Sequence, residues 1–304
     1  MSKAIEIVYL TRVEGANLNS AGTEGVISVL KKVEDIDGNE FIRVSGQSVK
    51  YQIRQIWGEQ GIGISEVKPK GSGTDKVIVS AGDPIKYIDD DLFGYMIAET
   101  GKGARKRTAS VRTNGMISIF PYKGDRDFAV RYDPTPAQDH NIYEVELTTN
   151  IMRGNFFVEL DRLGKFISGE IGEDKELPTA EKEKRIKLLF DAIFNFFGGA
   201  HLSNYFTKVY PELIVVAVLK RKLPIIGDKL SVTGGSEDGK YIVDVTRLKE
   251  ALDTFDENVD EILIGGFKSV IGNWDKLKEL SSDTTKVMSL KDLKTEIGKR
   301  TFIE

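Results

Sequence analysis

Leu213–Leu219 reads LIVVAVL, seven apolar residues without a polar interruption. A helix crossing a bilayer needs about 20 such residues, so the run is no membrane span. It reads as a strand buried on both faces, which requires chain packed above and below it. Upstream, Ile186, Leu189, Phe190, Ile193, Phe194 and Phe197 make a continuous apolar stripe, predicting a helix over Thr179–Phe197 that Gly198-Gly199 stops. Downstream, the strand–helix rhythm returns: a strand at Tyr241–Val245, a helix near Arg247–Asp253, a strand at Ile262–Ile264, then short amphipathic helices.

The first half has more breaks. Ile5–Leu10 predicts a strand, Thr11–Thr23 a polar loop, and Val26–Val33 either strand or helix. Glu34–Gly38 is a turn and Phe41–Val44 a short strand. Ser45 is a good N-cap, with Val49, Ile53, Ile56 and Trp57 on one helical face and Gly58 and Gly61 at its end. Residues 62–82 form a Gly/Ser/Lys-rich excursion of hairpin character, and Asp89–Asp91 caps a short helix over Leu92–Ile97. Gly101–Arg112 is a basic loop before a strand around Met116–Phe120. Lys123–Thr149 holds two strands flanking Asp133-Pro134-Thr135-Pro136, and Asn155–Asp161 is another strand. The fold class is therefore α+β with an antiparallel sheet, in a chain of 304 residues with no internal repeat.

The chain has no Cys, which excludes disulfides, thiolate zinc sites, iron–sulfur clusters and a Cys nucleophile. Glu6 interrupts the only apolar stretch near the N-terminus, so no signal peptide is read there, and a soluble cytoplasmic protein is expected. The two histidines, His140 and His201, have no metal-ligand spacing. There is no GxSxG, no GxxxxGK[ST], and no GxGxxG opening a helix after a strand. No catalytic residue, cofactor or metal is expected.

The formal net charge of −4 conceals a segregated pattern. Arg43, Lys50 and Arg54 lie in a stretch without acids, and Lys102–Arg131 holds eight cations against Asp125 and Asp127. These segments carry +9 and leave −13 for the rest, concentrated in the C-terminal third. Solvated surface explains one such cluster; two, at a helix start and in loops, suit phosphate binding. First-turn amides of a helix lack intrahelical acceptors, Gly46 admits close approach, and Lys50 and Arg54 share a face at i, i+4.

Three ordered segments carry a family resemblance. Ile42–Arg54 (IRVSGQSVKYQIR) resembles the strand-to-helix motif of CRISPR-associated backbone subunits of Cascade-type complexes. DDDLFGYM at Asp89–Met96 and KRTASVRTNGMISIFPYKGDRDFAVR at Lys106–Arg131 resemble the DevR-like autoregulator subgroup of type I systems, notably I-B and I-A. FGGAHLSNY at Phe197–Tyr205 resembles the Gly-rich loop of the wider repeat-associated superfamily.

The resemblance implies a modified ferredoxin-like (RRM-type) antiparallel palm within one discontinuous domain. Its core would draw on residues 1–58, 116–122, 155–219 and parts of 240–304. Residues 62–115 would be finger-like insertions and 123–150 a thumb-like hairpin with its tip near Tyr132–Asp139. Copies would assemble in a filament along a CRISPR guide RNA and present it to target DNA beside a large subunit, a repeat-processing endoribonuclease and a foot subunit, with no membrane partner. Ser45, Gln47, Ser48, Lys50 and Arg54, with Arg43 before them, match the helix start and are assigned to guide phosphates. Arg105, Lys106, Arg107, Arg112, Asn114, Lys123, Arg126 and Arg131 match the basic stretch and thumb base, Asn17 and Asn19 the loop after the first strand, and His201 and Asn204 the Gly-rich loop, where they depart from its usual Gly/Ser/Arg pattern. Two alternatives remain open: target-RNA cleavage through a metal at Asp35 or Asp37, as in related type III subunits, and transcriptional autoregulation, for which no helix-turn-helix signal is present.

Overall fold

The structure is a computed structural model that describes residues 3–70, 77–99, 103–131, 141–199, 204–235 and 238–303. Its largest element is an eight-stranded sheet built from β1 (Ala4–Ala16), β2 (Lys32–Glu34), β3 (Glu40–Val44), β4 (Val111–Ser118), β5 (Thr148–Glu159), β6 (Leu213–Leu219), β7 (Val259–Gly266) and β8 (Thr285–Ser289). The spatial order is β8-β7-β6-β1-β5-β4-β3-β2. Every neighbouring pair is antiparallel except β7 with β8. A second sheet joins Arg126–Arg131, Asn141–Glu146, Ile27–Leu30 and Ser20–Glu24 in that order.

Alternation along a strand sends successive side chains to opposite faces. Ile5, Ile7 and Tyr9 of β1, with Ile214, Val216 and Val218 of β6, pack under helices α1 (Gly46–Glu59), α2 (Ile88–Phe93), α3 (Thr179–Phe194) and α4 (Leu290–Lys299). Ala4, Val8 and Leu10, with Leu213, Val215, Ala217 and Leu219, face a second layer that includes Ile226, Leu230, Tyr241, Leu248, Trp274 and Leu277. All seven residues of β6 are buried, as its run of apolar residues requires. Each of its Leu, Ile and Val side chains contributes about 1.5–3 kcal/mol when fully buried.

Glu6 sits among the residues of the second face. Its carboxylate accepts the N–H groups of Ile225 (2.6 Å), Ile226 (3.0 Å) and Gly227 (2.8 Å), which ties the second layer to the central strand. Burial pushes its pKa up, against the lowering effect of those three bonds. The cover thins beyond β1: Arg153, Asn155 and Phe157 of β5 are half-buried and Arg43 of β3 is exposed.

Several boundaries differ from the sequence reading. The polar stretch after Leu10 is not a loop, because β1 continues to Ala16 against β5 and Ser20–Glu24 pairs with Ile27–Leu30. Val26–Val33 resolves into strands, not helix. The three aspartates lie inside α2 rather than before a helix over Leu92–Ile97; Gly94 ends it at φ +72, and Tyr95–Glu99 is a strand paired with Gly103–Arg107, part of the expected basic loop. α3 stops at Phe194, and Phe197-Gly198 pairs with Thr207-Lys208. The extension of β1 is set by the sequence-distant strand β5, whereas the other three pairings are short-range ones in segments whose polar and glycine content reads as loop.

The α2 aspartates anchor a buried charge cluster. Asp91, with no exposed side-chain surface, lies 2.5 Å from Arg107 and 2.7 Å from Arg185. Arg107 also pairs with Glu170 (2.6 Å) and donates to the carbonyls of Arg162 and Lys165. Removing one member of such a pair strands the other charges in the interior. Asp91→Ala is therefore expected to cost about 3–5 kcal/mol in urea denaturation. A loss below 1 kcal/mol would show that the cluster does not hold the helix layer.

Candidate nucleic-acid interface

The start of α1 is assembled from three distant segments. Ser45 is its N-cap, accepting the Ser48 N–H at 3.2 Å. The Asn19 side chain accepts the Ser45 N–H at 3.0 Å, so the residue after β1 orients the helix start. Gly198 lies against Gln52 of α1, and Gly199 against the Asn17 carbonyl; a Cβ at Gly198 would come within 2.5 Å of the Gln52 amide nitrogen. Gln47 is exposed and Ser48 half-buried. Asn19, Ser45, Gln47 and Ser48 are thus brought together, with the segment leading into the Gly-rich loop beside them.

This junction abuts the open half of the sheet. The β4–β5 pairing shifts register between Arg112 and Gly115, and the resulting bulge presses on the helix start. A Cβ on Gly46 would lie 2.5 Å from the Thr113 carbonyl. Gly115 has φ +85, and a Cβ there would run into the Val44 carbonyl and the Gly46 nitrogen. Around the bulge, Arg43, Asn114, Arg153, Asn155 and Asp228 line a cavity of about 400 Å³. The Asn155 side chain accepts the Asn114 N–H at 3.0 Å. Arg153 donates to the carbonyls of Asp228 (3.1 Å) and Leu230 (3.3 Å), and burial pushes its pKa down. The Arg43 and Arg153 guanidinium groups and the Asn114 and Asn155 side-chain amides line this cavity together with the Asp228 carboxylate, beside the start of α1; such donors suit sugar and phosphate oxygens.

Arg153 and Asn155 escaped the sequence reading. They alternate with buried Met152, Gly154 and Phe156, but the strand was placed from Asn155 onward, which hid the period-two pattern beginning at Thr148.

Other expected contacts are placed elsewhere. Lys50 and Arg54 share a face as their spacing predicts, but that face meets Phe93: the Lys50 ammonium is 5.5 Å and the Arg54 guanidinium 5.1 Å from the ring centroid. Arg54 donates to buried Asp89 at 2.8 Å. Burial, then the charge of Arg54, pushes the Lys50 pKa down. Arg107 is buried inside the cluster described above and so leaves the interface. Asn17 is also buried, donating to the Glu146 carbonyl at 2.9 Å, and ties β1 to the strand Asn141–Glu146.

Arg105 is half-buried over Tyr95, while Lys106 beside it is exposed. Arg112 is exposed and paired with Glu159. Lys123 is exposed, and Arg126 lies 3.7 Å from Glu144. Asn204 reaches the Tyr143 hydroxyl at 3.5 Å. His201, the side chain of Arg131 and the thumb tip at Tyr132–Asp139 lie outside the described residues.

Asp35 is committed to a turn. Its carboxylate accepts the N–H groups of Asp37 and Asn39, each at 2.9 Å, and the Asn39 amide at 3.0 Å; that last bond foremost holds its pKa below the usual carboxylate value. Among the described residues, no group of three His, Asp or Glu side chains is placed to hold a metal. None of the described helices is long and apolar enough to cross a membrane.

Comparison with known proteins places the chain. A family model described as CRISPR-associated negative auto-regulator DevR/Csa2 matches residues 7–231, and the chain belongs to this family. It is 29% identical over 140 residues to a CRISPR-associated protein Cas7/Cst2/DevR of Myxococcus xanthus (strain DK1622), covering 42% of this chain and 46% of that protein. The match thus spans about half the length of that curated relative. A chain of a pre-nicking CRISPR RNA-guided surveillance complex superposes with a TM-score of 0.63 at 12% identity, covering 97% of this chain and 99% of that one. A chain of another CRISPR RNA-guided surveillance complex gives 0.58 at 15% identity, with 89% and 94% covered. The likeness to both structures is one of fold.

The glycine junction gives a direct test. Gly124 has φ +84 but open space around it, whereas Gly115 combines φ +85 with a collision. Gly124→Ala is expected to cost about 1–2 kcal/mol from backbone strain alone. Gly115→Ala should cost more and lower the melting temperature further in a thermal scan. Equal losses would show that the bulge and helix start are not in tight contact.

Proposed function

We propose that the chain is a guide-RNA-binding backbone subunit of a type I CRISPR surveillance complex. The observation that carries this reading is the joining of the α1 start, with Asn19 and Gly198-Gly199, to the arginine-lined sheet face, in a member of a CRISPR-associated family. Such a surface offers main-chain amides and cations to a phosphate backbone and leaves bases unread, as a guide presented for pairing requires. Four strands in the order β6-β1-β5-β4, with α1 after β1 and α3 after β5, follow the ferredoxin-like βαββαβ arrangement, and we assign them to the palm. Residues 62–115 serve as fingers and 123–150 as the thumb.

Copies of the subunit line up along the guide and hold it for a target DNA strand, in the cytoplasm and beside the other subunits of the complex. The role is binding and not catalysis, in keeping with the engagement of Asp35 in its turn. Within the acidic C-terminal third, Asp253, Asp256 and Glu257 are exposed at the far end of β7 and stay away from the guide, whereas Asp228 lines the sheet-face cavity.

Salt titration of single-stranded RNA binding tests the assignment. Each phosphate contact contributes about 0.7 to the slope of log affinity against log salt for a single strand. Arg43→Ala should lower that slope by about 0.7 and weaken all sequences alike. Arg54→Ala should instead act through stability, by stranding Asp89. An unchanged slope in Arg43→Ala would remove the sheet face from the RNA path.

A further inference from the structure

The strand pair Phe197-Gly198 and Thr207-Lys208 has two sides. Gly198 faces α1 and the surface described above. Phe197 and Lys208 instead line a second cavity, of about 620 Å³, between the end of α3, the start of α4 and the residues after β7. Its floor is Phe194 and Phe196, both buried. Its walls carry four accessible rings. Phe206 is 73% exposed and Phe267 40% exposed, while Phe197 and Tyr210 are half-buried.

The rings lie in pairs. Phe197 and Phe206 are 6.4 Å apart between centroids at 32°, and Tyr210 and Phe267 are 6.4 Å apart at 63°. Three cations rim the cavity: Lys208, Lys291 and Lys294. Lys208 is 5.3 Å over Tyr210 and also pairs with Glu212, and Lys294 is 5.2 Å over Phe194. Among the described residues, no acidic side chain lines the cavity.

Phe206, Phe197, Tyr210 and Phe267 line one cavity together, and a contiguous apolar patch of this kind marks an interaction site. The lining calls for an occupant that is flat, apolar on its faces and anionic along its edge. Unpaired nucleotides have that chemistry: aromatic side chains stack on any base, and lysines follow the connecting phosphates. An acidic peptide satisfies the cations but not the flat paired rings.

We propose that this cavity is a stacking groove for the bases of single-stranded nucleic acid, distinct from the phosphate-holding surface at α1. The two sites sit on opposite sides of one short strand pair, so one strand can leave the α1 surface and lay unpaired nucleotides on Phe197, Phe206 and Phe267. The inference rests on the nucleic-acid reading above for the class of polymer only; the demand for bases comes from the rings.

The test compares two labelled oligonucleotides of equal length, one bearing bases and one abasic, by fluorescence anisotropy on the full chain. Wild type should bind the base-bearing strand more tightly. Phe206→Ala, a change at an exposed side chain, should weaken that binding about fivefold to a hundredfold and leave the abasic strand unaffected. Phe206→Trp should restore it. Arg43→Ala should weaken both strands alike.

Equal affinity of wild type for the two strands overturns the groove while leaving the guide-binding reading intact. Failure to bind either strand overturns the guide-binding reading as well. Phe206→Ala that binds both strands normally, but changes self-association in sedimentation, assigns the groove to protein contacts and overturns the proposal.

Discussion

Over Ala4–Leu10 the backbone of β1 is hydrogen-bonded along both edges, to β5 and to β6, and its side chains are buried on both faces. Such a strand tolerates no solvent on either side, so the rest of the chain is arranged to cover it. Helices take one face and the C-terminal layer the other, held by the Glu6 carboxylate. Because that layer is built from the residues between β6 and β7 and between β7 and β8, it covers their side of the sheet and leaves the β3–β5 side more open. The donor surface occupies that more open half. The location of the candidate interface is in this sense a consequence of where the chain spends its apolar residues.

Charge is distributed by the same logic. The basic segments were legible in the sequence, but their two uses were not. Arg54 and Arg107 face Asp89 and Asp91 of α2, and together with Arg185 they bind α2 to α1 and α3. Arg43 carries its charge to the surface. A run of cations and a run of aspartates more than a dozen residues apart cannot reveal whether they meet. Only tertiary packing decides, because a charge buried in a pair and a charge offered to a ligand have the same composition.

What could be read locally was read well. Leu213–Leu219, the Ser45 cap and the stripe from Ile186 to Phe194 each depend on spacing within one element, and each is present. The polar end of β1 was misread because Thr11, Arg12 and Asn17 owe their strand or buried setting to Met152, Glu212 and Glu146, more than 100 residues away. Arg153 and Asn155 were missed because a strand started at Asn155 left too little of β5 to show the alternation that begins at Thr148. The family resemblance ran deeper than the local reading because it drew on ordered motifs across residues 42 to 205 and did not depend on any single boundary.

Glycine links these levels at the interface. Gly46 and Gly115 allow the α1 start and the β4 bulge to touch backbone to backbone, while Gly198 and Gly199 themselves lie against Gln52 and the Asn17 carbonyl. Side chains at these positions would push the helix amides away from the arginines of the sheet by about the width of a methyl group. A donor surface assembled from separate segments works on phosphates only if its parts stay within hydrogen-bond reach of one strand. The absence of side chains at four positions therefore shapes the candidate interface alongside the charged groups, and a count of cations, taken alone, does not locate it.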